Sequence, residues 1–362
     1  MFLIKYNYME QALSVPLWTN ILLGLVAVNL LIWPFKSRWV ESHLELFLLG
    51  VGAIAVTISR AWSWDVVTGT LSAPVNVAFI VIVVSAIFNN YSRYIFRILF
   101  AAFRALEPRY SFALLTLFLG MTSSLFSVTV AALILAEVLK VVNLERDVSV
   151  KIAVFCCYAI ALGAVLSPLA EPMGLVINKA LAGPPHHADF FFLLRHFFWW
   201  ITPAVAALAV AAGYAARNAG TTIQMQIRED KETYSAMLRR TLHIYMFVAA
   251  LTLISTGLRP LALSTITRLG GKVLFLANSV SVIIDNATLA AIEIVPTISA
   301  NDLIYMVIGL AAFGSMLVQG NLPNIVAAEK LGIKSREWAA IAVPTGLVLM
   351  GAYFIWLSVA LK

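Results

Sequence analysis

Asp285, Asn286 and Thr288 stand together inside a long apolar run, and they are the residues of this chain best suited to chemistry. An ionisable side chain at membrane depth is costly to bury and is by default a functional group. A carboxylate, an amide oxygen, a hydroxyl and the carbonyls freed by a turn are hard oxygen ligands, which suit a small hard cation such as sodium. Asp285 and Asn286 are therefore the candidate metal ligands. Protons and cations can compete for such a carboxylate, and that competition is enough for exchange of one against the other. Glu171-Pro172 is a similar device. Proline is tolerated in the first turn of a helix while the preceding helix must end, so the pair marks a break with a carboxylate at its lip. Both acids also have structural readings: Asp285 as the cap of a following half-helix, Glu171 as an acid near a positive helix end.

These residues recur in a pattern. Ser123, Ser124, Ser127 and Thr129 lie in a stretch that echoes 278–292, and each stretch is followed by an apolar run broken by proline and polar residues. The first break holds Ser167, Glu171 and Pro172; the second holds Gly320, Asn321, Pro323 and Asn324. Repeated interruptions of this kind are the best sequence pointer to a secondary transporter's binding site. The repeats are not equal. Aligning the prolines sets Leu322 against Glu171, and aligning Thr129 with Thr288 sets Phe126 and Ser127 against Asp285 and Asn286. Each half thus has one membrane-depth carboxylate, on a different element. Hydroxyls also occur in membrane helices simply by bonding back to the backbone. Glu137 and Glu293 are expected toward the exits of their segments, explained by solvation or by a base such as Lys140, and outside the site. His186 and His187 read as exposed loop residues, and Cys156-Cys157 as small apolar packing residues.

The elements that position these groups follow from composition. Sixty-one per cent of residues are apolar, 12% are charged and mean hydropathy is +0.91, more than one water-soluble core can hide. The expected fold is an all-α polytopic membrane protein. Runs near 18–35, 44–59, 73–90, 197–216, 241–258 and 338–361 read as spanning helices. Four longer runs, 111–139, 151–181, 272–298 and 302–329, exceed the roughly 20 residues a straight span needs. Each is a tilted helix, a broken helix or a re-entrant hairpin. If 111–139 and 272–298 are hairpins, seventeen of the 25 bases share one face; if both span, the split is 14 against 11. The positive-inside rule favours the hairpins, with the 217–240 loop cytoplasmic and both termini outside.

That arrangement gives an inverted-topology repeat: 73–216 and 241–362 each run helix, hairpin (111–139; 272–298), discontinuous helix (151–181; 302–329), helix. Residues 1–72 are scaffold helices, and 217–240 is the linker. The +7 net charge falls in short segments between apolar runs, where lipid head groups explain it better than nucleic acid does. No paired Asp/Asp, Ser/Lys or His-Glu-x-x-His spacing suggests an intramembrane enzyme, and no cofactor is expected.

At three motifs the chain resembles the ion transporter superfamily, which includes sodium/proton antiporters of the NhaD type, arsenite extruders of the ArsB type and divalent-anion/sodium symporters. The motifs are Leu162 to Pro172, Ile284-Asp285-Asn286-Ala287-Thr288-Leu289-Ala290-Ala291, and Gly320-Asn321-Leu322-Pro323-Asn324-Ile325-Val326-Ala327-Ala328. Within it the chain looks most like a branch of cation transporters. The resemblance implies two re-entrant hairpins, two discontinuous helices and a site between their tips. Antiporter relatives carry an Asp-Asn pair that Asp285-Asn286 matches. Symporter relatives use Ser-Asn-Thr at both tips, and Ser127-Val128-Thr129 lacks the central Asn. Relatives of this fold often form homodimers in which a transport domain moves against a fixed scaffold. The expectation is a sodium/proton antiporter of a prokaryotic-type cell (inner) membrane, with Asp285 as shared group and Glu171 as second coupling carboxylate. The alternative is an anion carrier, exporting a metalloid oxyanion or coupling an organic anion to sodium.

Overall fold

A computed structural model describes residues 16–37, 39–40, 43–72, 74–75, 78–79, 82–83, 86, 106–125, 127–142, 144–168, 170–219, 234–266, 270–279, 286–294 and 298–361. Within them the chain is helical and has no β-strand. The helices are α1 (Leu17–Lys36), α2 (Leu44–Ile58), α3 (Pro108–Thr122), α4 (Val128–Val141), α5 (Arg146–Ala164), α6 (Pro172–Ala180), α7 (Phe192–Ala215), α8 (Tyr234–Ile266), α9 (Gly271–Ala277), α10 (Asn286–Glu293), α11 (Ala300–Phe313), α12 (Leu322–Leu331) and α13 (Ser335–Ala360). A 3₁₀ turn occupies Val318–Gly320.

Arg146–Ala164, Phe192–Ala215, Met237–Leu261 and Ser335–Ala360 are long and apolar enough to cross a membrane. Large apolar side chains point outward on their surfaces, among them Trp199 and Val210 on α7 and Val348 and Ile355 on α13. Lipid is the solvent that accepts such a surface, and helices satisfy their own backbone within it. The protein is a helical membrane protein.

Local signals set the helix ends. Pro108 stands in the first turn of α3, Ser127 caps α4 by accepting from the Thr129 amide, and Ser299 caps α11 by accepting from the Asp302 amide. α12 stops at Gly332, whose φ of +60° is the left-handed conformation that glycine adopts freely. α8 is described from Tyr234, inside the stretch read from sequence as linker, and no glycine or proline interrupts it before Gly257. Its 33 residues reach about 50 Å, against a bilayer core of about 30 Å.

Three expected interruptions are observed as gaps between helices: 123–127 between α3 and α4, 165–171 between α5 and α6, and 314–321 between α11 and α12. The fourth falls between α9 and α10, where 280–285, including Asp285, lie outside the described residues. Packing follows a repeated scheme. α3 packs on α5 and α7, and α9 packs on α11. α4 lies against α12, and α10 lies against α6. The second helix of each expected hairpin therefore rests on the short helix that follows the break in the opposite half. α2 packs along α8 at Gly52 and Gly257, where an added Cβ would come within 2.8 and 2.5 Å of Leu253 and Ala55. Close backbone approach through small residues is the usual way membrane helices associate.

Candidate functional site

The second break is built from glycine, asparagine and proline. After α11 ends, residues 314–321 run through a turn and the 3₁₀ segment, and every residue from Tyr305 to Asn321 is buried. Asn324 Nδ2 donates to Leu317 O at 2.9 Å and Gly314 O at 3.4 Å, satisfying carbonyls that the broken helix leaves open. Trp338 Nε1 of α13 donates to Ser315 O at 3.3 Å. Asn321 is extended, with φ −154°, and leads into α12, whose first turn contains Pro323. Non-helical backbone at membrane depth is tolerated only inside protein or beside a water-filled cavity, and this loop lies inside protein.

Asn286, the first residue of α10, reaches that loop. A Cβ built on Gly314 would meet Asn286 Nδ2 at 2.7 Å and Oδ1 at 3.1 Å, so the glycine leaves room for the amide. Asn286 Oδ1, Ser315 Oγ, Asn324 Oδ1 and Asn321 Nδ2 are buried with no hydrogen-bond partner among the described residues. Leaving such atoms unpaired costs about 1–3 kcal/mol each. Two are on the loop, Ser315 and Asn321, and two on helices that meet it, Asn286 of α10 and Asn324 of α12; a ligand or water would satisfy them. α5 adds Cys157 Sγ, 3.6 Å from Pro323 O, so the long first part of one discontinuous segment touches the break of the other.

The first break differs. α5 ends in turns in which the Leu166 and Ser167 amides donate to Gly163 and Ala164 carbonyls. Glu171 and Ser167 are buried there, and Glu171 immediately precedes α6. Val128, at the start of α4, donates its amide to Ala170 O at 3.5 Å, so the start of α4 meets the first break. The hydroxyls are engaged locally: Ser123 Oγ lies 2.7 Å from Gly120 O and 2.9 Å from Ile160 O, and Ser124 Oγ donates to Met121 O. Ser127 Oγ accepts from Thr129 N, and Thr129 is buried. Thr288 occupies the first turn of α10 beside Asn286. The structure thus gathers Asn286, Gly320, Asn321, Pro323 and Asn324 at one loop, and Ser127, Thr129, Ser167, Glu171 and Pro172 at the other.

The family model described as Protein of unknown function (DUF1646) matches residues 20–360. The chain belongs to this family. No curated protein matches it. The DUF1646 match runs from α1 into α13 and takes in both breaks, so the two loops are parts of one family unit.

Sequence reasoning missed several residues of the DUF1646 chain that contribute to this interior. Ser315 carried no signal apart from its place beside Gly314. Glu293, expected at a solvated exit, is 8% exposed and accepts from Asn278 Nδ2 at 3.2 Å. Asn278, an amide within the same apolar run, was the available clue. Glu137 is paired with Lys330 of α12, whose side chain is almost wholly buried. His186 Nε2 lies 3.0 Å from Ile298 O, tying its loop to the segment before α11.

Proposed function

We propose that this protein is a secondary cation/proton antiporter, exchanging sodium for protons by alternating access. The observation that carries the reading is the loop 314–324, where buried side-chain oxygens of Asn286, Ser315 and Asn324 lack partners among the described residues. Oxygens of amide and hydroxyl type are hard ligands for a small cation. Asp285, next to Asn286 in the sequence, is the carboxylate that cation and proton share, and Thr288 and Asn321 are further candidate ligands. Glu171 at the first break is the second coupling acid.

The mirrored packing, α4 on α12 and α10 on α6, supports an inverted repeat of 73–216 and 241–362 with re-entrant hairpins. In that arrangement α3–α4 enters from the cytoplasm, α9–α10 from outside, and the 217–240 segment is cytoplasmic. The host membrane is a prokaryotic-type cell membrane. Residues 1–72 form the scaffold, which meets lipid and, in a homodimer, a second copy.

The test uses purified protein in liposomes with a trapped pH dye. A pH gradient is imposed, sodium, lithium, potassium or calcium is added outside, and wild type is compared with Asp285→Asn and Glu171→Gln. Cation-dependent proton movement abolished by Asp285→Asn is expected. Absence of proton flux with every cation would reject antiport. Uptake of arsenite or a carboxylate in its place would establish the anion carrier, for which the starts of α6 and α12 at the two breaks would supply positive helix ends.

A further inference from the structure

Asn278, which caps the C-terminus of α9, faces Glu293 at the end of α10. Asn278 is fully buried and Glu293 is more than nine-tenths buried. Asn278 Nδ2 donates to Glu293 Oε2 and to Met306 O of α11, both at 3.2 Å. Both amide hydrogens are engaged, which fixes the orientation of the amide. Two oxygens remain, Asn278 Oδ1 and Glu293 Oε1, and neither has a hydrogen-bond partner among the described residues. An acceptor pair left this way lacks one thing, a donor between them.

The packed elements carry Lys272 on α9, Asp302 and Tyr305 on α11, Lys179 on α6, and Tyr234, Arg239, Arg240, His243, Tyr245 and Arg259 on α8. Asp302 is held by Ser299 and the Gly271 amide, Tyr305 by Ser358, His243 by Glu329 and Tyr245 by Leu71 O. The hydrogen-bond donor to Glu293 among the described residues is the neutral amide of Asn278.

We propose that Glu293 is a proton-carrying carboxyl, closed by Asn278 into a cyclic acid–amide pair. A proton taken from water forms the Oε1–H bond, and that hydroxyl donates to Asn278 Oδ1 while Nδ2 donates to Oε2. One proton satisfies both orphan oxygens. Its return to water leaves a buried carboxylate with a single neutral donor, an unfavourable state that recaptures a proton. One O–H bond matches the two orphan oxygens in number and kind, whereas a hard cation takes about six oxygens. Glu293 is seven positions along α10 from Asn286, about 10 Å, so this station is distinct from the loop at 314–321. Its role as a stop for the exchanged proton rests on the antiport reading; the protonated pair itself does not.

The test is infrared spectroscopy of the full chain in lipid vesicles at neutral pH. A protonated-carboxyl C=O band is expected in wild type, absent in Glu293→Gln, and shifted in Asn278→Ala. Identical bands in wild type and Glu293→Gln overturn the proposal, and should Glu293→Gln not fold, a band unmoved by Asn278→Ala does so. In the liposome assay Glu293→Gln is expected to lower cation-driven proton flux tenfold or more while cation-for-cation exchange persists. A wild type that shows the band but moves no protons sinks the antiport reading and leaves the pair standing.

Discussion

Gly163 of α5 and Gly120 of α3 cross so closely that a Cβ on Gly163 would lie 1.7 Å from the Gly120 carbonyl oxygen. The obstacle is backbone, which cannot rotate away as a side-chain end can. Ser123 Oγ sits on the same crossing, hydrogen-bonded to both Gly120 O and Ile160 O. This contact fixes α3 against the C-terminal end of α5. Gly163→Ala is therefore expected to destabilise by about 3 kcal/mol or more, the upper range for overpacking. Gly50→Ala, at a position where nothing lies within 4 Å, is the control and should be neutral or stabilising by up to about 1 kcal/mol. Denaturant unfolding in detergent micelles, followed by tryptophan fluorescence, separates the two. A Gly163→Ala protein as stable as wild type would contradict the crossing.

Lys330 of α12 and Glu137 of α4 pair across the two halves, with side-chain exposures of 1% and 16%. Removing one member of a buried pair strands the other charge, at a cost of about 3–5 kcal/mol. Lys330→Met alone should fall in that range. Lys330→Met with Glu137→Leu should regain most of the loss, because no buried charge remains. A double-mutant cycle on unfolding midpoints checks this; equal losses for the single and double variants would show that packing, not charge, holds α4 to α12.

Gly314 presents the opposite case to Gly163. The atoms nearest its missing Cβ are the end of the Asn286 side chain, 2.7 Å away, which is not backbone, and then the Gly320 carbonyl oxygen at 3.2 Å, which needs a shift of only a few tenths of an ångström. Gly314→Ala should leave stability within about 1 kcal/mol of wild type. It should nevertheless displace the Asn286 amide and reduce cation-driven proton flux in liposomes at least tenfold, chiefly by weakening apparent cation affinity. Unchanged flux and affinity would remove Asn286 from the site.

The breaks were legible because proline, glycine and asparagine inside apolar runs announce themselves locally: the runs marked by Ser167 to Pro172 and by Gly320 to Asn324 are interrupted in the structure at 165–171 and 314–321. So was the helical membrane class, from composition alone. What joins the parts was not legible. Nothing in the sequence around Gly120 and Gly163 announces that their backbones touch. Lys330 looked like one of many cytoplasmic bases, yet it is buried against Glu137 because α12 lies on α4, a pairing between distant segments that no local pattern encodes. Glu293 failed for the same reason: its distance along the chain from solvent-facing residues suggested an exit, while its burial depends on α9, α10 and α11 closing around Asn278.

Arg146 illustrates how the two halves are tied at one end. Its guanidinium reaches Glu337 Oε1 from Nε at 3.0 Å and Oε2 from Nη2 at 2.8 Å, Leu331 O from Nη1 at 3.0 Å, and Gly332 O from Nη2 at 2.7 Å. One side chain at the start of α5 thus caps the end of α12 and holds the first turn of α13. The Arg146 and Glu337 side chains are 48% and 35% exposed, so solvent screening keeps the ion pair itself below about 1 kcal/mol. The two carbonyl contacts add about 1 kcal/mol that salt does not screen. Arg146→Ala should therefore cost roughly 1–2 kcal/mol, and raising salt should erase less than half of the difference from wild type. Lysine has the charge without the planar fork, so Arg146→Lys should lose most of what alanine loses. Unfolding midpoints at low and high salt for the three proteins decide it: an Arg146→Lys variant indistinguishable from wild type would mean that charge alone, and not the fork that reaches four acceptors, joins the halves here.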